Sequence, residues 1–446
     1  MKDLLLTSGN PAKRIVLFAL PLLAGEVLHL FYTMTDAYIV GRWLGINGLA
    51  AVGVSASLVQ FVFSFIIGLT SGFIVITTQR VGEGSEDGIR RSVATGLLLS
   101  LSVAVVMTVA LPLLSRPVLT VMRTPTEIID DSTSYALIIF SGAAVFMFYF
   151  MVSGIIQAGG DSFTPMLFSL VGVVLNIVLD LLFVAVFSWG VGGAAAATVI
   201  SELIACTLCA VFLFRRFRRY LPLRSDWRVG RAEFGTHLSM GIAMALQRSI
   251  VEVGNLLVQT VVNGLGALTV AAVTAAQRVR GLNMMPLFTL PRAVTTFTAQ
   301  NYGAGKMDRV YSGLFQSCLI SLGLGVIMAV LNQFIGTPIV SLFLRDSPEA
   351  VALARQYILV TGYTVFILGI MLDFRGALQG LGMKTASILC GVMETVMSVF
   401  AAFVLIPRIG FIGVCLVNPL SWLASGIPLY IAFGIYRKRL AGKSGE

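Results

Sequence analysis

The chain has few charges and almost no histidine. Asp, Glu, Lys and Arg make up 12% of its 446 residues, against 57% hydrophobic, and there are two histidines. Too little polar surface remains to face water all round, so soluble enzyme folds are excluded and a polytopic membrane protein is expected. His29 and His237 cannot form HExxH or another His-rich metal site. There is no GxxxxGK[ST], which removes a built-in nucleotide motor, and no GxSxG, so a membrane-embedded enzyme is the disfavoured alternative. The five cysteines (Cys206, Cys209, Cys318, Cys390, Cys415) all sit in apolar runs and act as small buried hydrophobes rather than a disulfide framework. The net charge of +10 lies in short loops between apolar runs, where it sets topology, so no nucleic-acid partner is implied.

What the chain does have is membrane-length apolar sequence. Twelve runs of about 20 residues or more lie near 15–40, 48–77, 92–115, 133–156, 164–188, 192–214, 237–262, 268–298, 311–335, 352–379, 385–406 and 412–436. The expected fold is therefore all-α, with twelve transmembrane helices. The N-terminus MKDLLLTSGNPAKR is too polar for a signal peptide, so the first helix is expected to remain as an anchor. Basic residues crowd the loops on one side: Lys2, Lys13 and Arg14; Arg80, Arg90 and Arg91; Arg215, Arg216, Arg218, Arg219, Arg224, Arg228 and Arg231; and Arg437, Lys438, Arg439 and Lys443. The other side has Arg42, Arg116, Arg123, Arg345, Arg355 and Arg408. The positive-inside rule then places both termini in the cytoplasm of a multi-pass plasma-membrane protein.

A shift by roughly half the chain lays Leu49-Ala50-Ala51-Val52 on Val270-Ala271-Ala272-Val273, and Gln79, Gly82 and Gly84 on Gln300, Gly303 and Gly305. This predicts two homologous six-helix lobes, an N-lobe over 1–214 and a C-lobe over 236–446, joined by a basic linker over 215–235. An even number of spans per lobe makes the repeat parallel, with its pseudo-two-fold axis along the membrane normal. Two matched lobes around a cleft suit alternating access.

The stretch LPLLAGEVLHLFYTMTDAYIVG, Leu20 to Gly41, is apolar enough to span yet carries Asp36. An ionised Asp at a membrane helix centre costs about 2.5–3.5 kcal/mol, so it is expected to face a cavity or partner. Pro21 removes a backbone hydrogen bond from the same helix and supplies a candidate hinge. In VVLNIVLDLLFV, Asn176 and Asp180 are four apart and share one face. At 1.5 Å per residue they lie roughly 18 and 24 Å along their helix from Thr164, and Thr198 reaches a similar depth from the other end of the next helix. Two carboxylates, an amide and a hydroxyl suit a hard cation such as Na⁺, and they equally suit protons, because two desolvated carboxylates do not both ionise cheaply. The plainer alternative is a polar clasp between helices.

Several of these pieces resemble the multidrug and toxic compound extrusion (MATE) exporters: the Pro21 to Asp36 interval, the Asn176 to Asp180 block, and GVGGAAAATVIS at 190–201 with its Thr198. The loops QAGGDSFTP at 157–165 and AQNYGAGKMDRV at 299–310 resemble that family as well. The resemblance implies a first-lobe cation or proton site at Asp36, Asn176, Asp180 and Thr198, and bending of helix 1 at Pro21. It also implies antiport of organic cations and other amphipathic drugs, dyes among them, against H⁺ or Na⁺; a monomer in membrane lipid, with no cofactor besides the coupling ion, is expected. A flippase for lipid-linked precursors is the alternative on the same architecture. The second lobe departs from the family's pattern. Gln247 and Glu252 on helix 7 and Asp373 on helix 10 are candidate polar or substrate residues, with Arg248–Glu252 and Asp373–Arg375 as candidate internal pairs. His29 is a candidate proton relay in which packing is the plainer role.

Overall fold

The computed structural model describes residues 4–344 and 347–443. Lys2 and Arg345, used above for orientation, lie outside the described residues, as do the side chains of Arg439 and Lys443. Apart from turns and loops, the described chain is helical. The elements are α1 (Pro11–Glu83), α2 (Glu86–Val121), α3 (Ile129–Ser141), α4 (Ala143–Ala158), α5 (Phe163–Asp180), α6 (Gly190–Arg216) and α7 (Arg231–Asn263). They continue as α8 (Ala267–Gly303), α9 (Met307–Leu331), α10 (Thr337–Phe343), α11 (Pro348–Gly380), α12 (Lys384–Phe400), α13 (Ile406–Ile409) and α14 (Phe411–Lys443). π-helical turns extend α5 over Leu181–Val186, α9 over Asn332–Gly336 and α12 over Ala401–Leu405.

Local chemistry explains where these helices start. Pro11 opens α1 after Asn10, whose side chain accepts from Lys13 N at 3.1 Å. Ser85 caps α2 by accepting from Gly88 N at 3.1 Å, with Glu86 and Asp87 in the first turn. Asp161 caps α5, accepting from Thr164 N at 2.9 Å and from its hydroxyl at 2.7 Å.

Among the described residues, nine helices are long and apolar enough to cross a membrane, ten with the α3–α4 pair, which bends by 45°. The 73 residues of α1 far exceed one crossing, and its backbone leaves helical geometry only at Gly45 (φ 72°, ψ −164°), so it supplies two spans. The 37-residue α8, which carries Arg278, Arg280 and Arg292, falls short of that apolar test but packs between α9 and α11. The result is the expected twelve-helix, two-bundle layout.

By packing, the chain divides into Met1–Leu5 with Leu20–Ala245, and Leu6–Ala19 with Leu246–Glu446. The start of α1 thus belongs with the second half and the start of α7 with the first, an exchange that a division by sequence order does not contain. Leu6 N donates to Gln300 Oε1 at 2.7 Å, and Arg309 donates to the carbonyls of Gly9 at 2.8 Å and Leu6 at 3.1 Å. In the other unit, His237 Nε2 and Ser92 Oγ are 2.8 Å apart, and Glu233 pairs with Arg80 at 3.6 Å. The glycines Gly68 and Gly72 let α1 touch the backbone of α7, since a Cβ on Gly72 would lie 2.5 Å from Gly241 Cα. Gly376 and Gly380 seat α11 on α8 in the same manner.

The internal repeat is visible in the backbone. Gly45 and Gly266 (φ 93°) occupy matching breaks between helices, and Gly190 (φ 65°) matches Gly410 (φ 60°). The π-helical turns after α5 and α12 also match. Each half has its own apolar core, one around Ile66, Phe73, Phe140 and Met147, the other around Ala276, Tyr357, Ile358 and Cys415.

Candidate functional site

Asp36 (8% exposed), Asn176 (1%) and Asp180 (0%) are all buried in the first half. α1 brings Asp36, α5 brings Asn176 and Asp180 on one face, and α6 brings Thr198, as the sequence spacing suggests. The carboxyls of Asp36 and Asp180 lie within hydrogen-bonding reach of each other. That contact is a hydrogen bond only when one of the two carries a proton. With both ionised, Asp36 Oδ1, both Asp180 oxygens and both polar atoms of the Asn176 amide are buried without a partner. More than nine in ten buried polar groups in folded proteins are paired, so five orphans in one cluster are a concentration that a proton or cation would satisfy. Oxygen-rich and compact, the set accepts a proton or a hard monovalent cation. Among the described residues, no group of three or more His, Cys, Asp and Glu is placed to hold a metal ion, so the donor set rests on the amide and hydroxyl as much as on the acids.

Thr198 is half-buried, and its Oγ1 is 3.0 Å from the Tyr32 hydroxyl and 3.1 Å from the carbonyl of Ala194, to which it donates. Tyr32 and Tyr135 are close enough to feel the charge of both carboxylates. Neither tyrosine is among the residues the sequence singles out. Tyr32 precedes Asp36 by one helical turn, a signal that spacing contains. Tyr135 comes from another helix and has no local signature. α5 gives way to its π-helical turn immediately after Asp180, a distortion common at functional positions.

Pro21 sits inside α1 with helical backbone around it, next to the Ala19–Leu20 boundary where the chain passes from one packing unit to the other. His29 is exposed, its ring 5.5 Å from that of Tyr32. Glu202, one turn beyond Thr198, lies beside Tyr149 and Cys206.

The second-half residues do not converge. Gln247 is buried where α7 meets Gly391 of α12, a packing position. Glu252 lines a cavity of about 340 Å³ with Gln277, Arg280, Tyr357 and Asn418. Asp373 is fully buried elsewhere, accepting from Ser321 Oγ at 2.7 Å. Among the described residues the candidate pair with Arg375 does not form within 4 Å. Arg375 lies instead in electrostatic reach of Glu394 and Cys390 on α12, because neighbours two apart on a helix point to different sides.

Paired helical bundles of membrane-spanning length, one holding a buried acidic cluster, define a polytopic membrane protein of the transporter kind. The family model MatE matches residues 21–182 and 243–404, once per half. The chain belongs to the MatE family, whose members are transporters. "Probable multidrug resistance protein YpnP" of Bacillus subtilis (strain 168) is 29% identical, the match covering 86% of this chain and 85% of that protein. "Probable multidrug resistance protein NorM" of Thermotoga maritima is 25% identical over 83% of this chain and 80% of the relative. The fold is shared with the protein of "Crystal structure of MATE in the bent conformation" at TM-score 0.91, 22% identity and full coverage of both chains.

Proposed function

We propose that this MatE-family chain exports organic cations and other amphipathic small molecules in exchange for H⁺ or Na⁺, and that Asp36, Asn176, Asp180 and Thr198 hold the coupling ion. The observation that carries this reading is the Asp36–Asp180 contact, buried and without a positively charged partner among the described residues. Two unit charges about 4 Å apart repel by about 4 kcal/mol at an effective dielectric of about 20. A proton or cation between them relieves that repulsion, and 4 kcal/mol is enough to move a two-state equilibrium about a thousandfold.

Ion occupancy then selects the position of α1 relative to α5 and α6, and Pro21 lets the helix move where it leaves one packing unit for the other. Ion and drug compete because each favours a different position of the same helix. The basic loops support a plasma-membrane protein with cytoplasmic termini, and two lobes within one chain support a working monomer.

The test is dye efflux from proteoliposomes under separately imposed pH and Na⁺ gradients. One gradient should drive efflux, and its collapse should stop it. Efflux that survives the loss of both gradients would overturn ion coupling.

A further inference from the structure

We propose that the second half carries an anion-accepting subsite, the Arg280 cavity, suited to the carboxylate or phosphate group of a small aromatic or amphipathic molecule. The cavity occupies the place in the second repeat that the acidic cluster occupies in the first. Tyr357 stands where Tyr135 stands, and Asn418 where Thr198 stands. The acids are gone: the stretch matching Asp36 is Leu256 to Val258, and the residues matching Asn176 and Asp180 are Val396 and Phe400. In their place α8 supplies Arg280, at a position where the first half has the apolar Leu58-Val59. The second half therefore keeps the hollow and reverses its charge.

The local chemistry fits an anion. Arg280 Nη1 is buried and has no hydrogen-bond partner among the described residues. A guanidinium nitrogen left so gains most from a charge-assisted bond to a carboxylate or phosphate oxygen. The guanidinium carbon lies 5.9 Å from the centre of the Tyr357 ring, within cation–π range. Asn418 Nδ2 donates to the Tyr357 hydroxyl at 3.0 Å, so the hydroxyl's own hydrogen is free to point toward an acceptor in the cavity. The amides of Asn255, Gln259 and Gln277 line the same space, and about 340 Å³ falls at the small end of ligand pockets. Among the described residues Glu252 is the acid on the wall, and it forms no ion pair with Arg280 within 4 Å, so no carboxylate of the chain holds the open nitrogen of Arg280. The subsite stands on these contacts alone; calling its occupant cargo rests on the exporter reading above.

Because binding needs no ion gradient, failure of this subsite and failure of antiport are separable. The experiment is calorimetric titration of the full-length protein in detergent with 2-naphthoate, 2-naphthyl phosphate and the neutral 2-naphthamide. At least one anion should bind about tenfold tighter than the amide, and which anion does so distinguishes a carboxylate from a phosphate ligand. Arg280→Gln should erase that preference, and Arg280→Lys should keep part of it. Leu256→Glu changes an exposed leucine on the cavity wall and should weaken anion binding while sparing the amide, providing the charge test should Arg280→Gln fold poorly. Asp36→Asn, in the other half, should change nothing. Equal affinity for anions and amide, or an anion preference that survives both Arg280→Gln and Leu256→Glu, overturns the proposal.

Discussion

Where α5 passes into its π-helical turn the first half places Asp180, and where α12 does the same the second half places Phe400. The breaks at Gly45 and Gly266, and those at Gly190 and Gly410, match in the same way, so the repeat has preserved its backbone irregularities more closely than its side chains. A π-helical turn and a left-handed glycine are properties of how a helix must bend to pack, and they persist while packing is needed. Buried acids without partners add nothing to packing that an apolar side chain would not. With Asn176, Asp36 and Asp180 leave five orphaned atoms together in the first half, at a cost of roughly 1–3 kcal/mol for each unsatisfied group, whereas Arg280 Nη1, Asp373 Oδ1 and Glu394 Oε2 in the second half are single atoms on α8, α11 and α12. Such a concentration is not one that stability favours.

The sharpest way to break the comparison is to remove the acid from the first half. Asp36→Asn and, separately, Asp180→Asn should each reduce gradient-driven dye efflux from proteoliposomes at least tenfold, to near background, while expression and thermal stability hold or rise. Stability should not fall because the amide is isosteric and ends the repulsion of two buried carboxylates. Undiminished efflux from either variant would make the cluster a structural clasp.

A smaller effect is expected at the hinge. Pro21 lies next to the unit boundary in α1, whereas the matching stretch of α7, Gly241 to Ala243, has no proline beside its own boundary at Ala245. Pro21→Ala restores a helical hydrogen bond and stiffens only the first-half crossing. Efflux should slow about three- to tenfold with equilibrium dye affinity unchanged. A pure loss of dye affinity at unchanged maximal rate would show that Pro21 shapes the binding cavity instead.

Smaller again, and equal in both halves, should be the response of the shared backbone. Gly45 and Gly266 adopt φ 72° and φ 93° with ψ −164° and 163°, a region costing a side-chain-bearing residue of order 1–3 kcal/mol. A Cβ at either glycine would meet nothing within 4 Å, so Gly45→Ala and Gly266→Ala should lower thermal stability through backbone strain alone, by similar amounts, as read from detergent melting curves. A large difference between them would mean that the two breaks bear unequal loads.

Much of this organisation is legible in the sequence because the signals are local. Apolar run length gives the spans, matched glycines give the repeat, and the four-residue spacing of Asn176 and Asp180 gives one face of the site. What is not legible depends on residues far apart in the chain. The exchange of Leu6–Ala19 and residues 231–245 between packing units has no periodicity to announce it. Tyr135 reaches the acid pair from a helix with no chemical motif. Arg280 reads as one more arginine in a helix until Tyr357 and Asn418 are seen beside it, and the apparent Asp373–Arg375 pair dissolves once Ser321 and Glu394 are placed.

The mildest expected outcome is the one that tests whether burial alone makes an acid functional. Asp373 is as buried as Asp180 and its Oδ1 is likewise without a partner among the described residues, but Ser321 donates to its other oxygen at 2.7 Å. A carboxyl group held by a hydroxyl donor, with no second carboxylate opposite to repel it, has less reason to exchange ions with the medium. It serves α11 and α9 as an interhelical hydrogen-bond anchor, worth about 0.6–2 kcal/mol in a membrane bundle. Asn keeps the accepting oxygen, so Asp373→Asn should leave gradient-driven efflux within about twofold and shift the melting temperature only slightly, whereas Asp373→Leu, which strands Ser321, should destabilise the fold more than it slows the surviving transporter. If Asp373→Asn instead stops efflux as completely as Asp36→Asn, the second half has a coupling site of its own, and the chemical contrast between the halves fails even though their shared backbone remains.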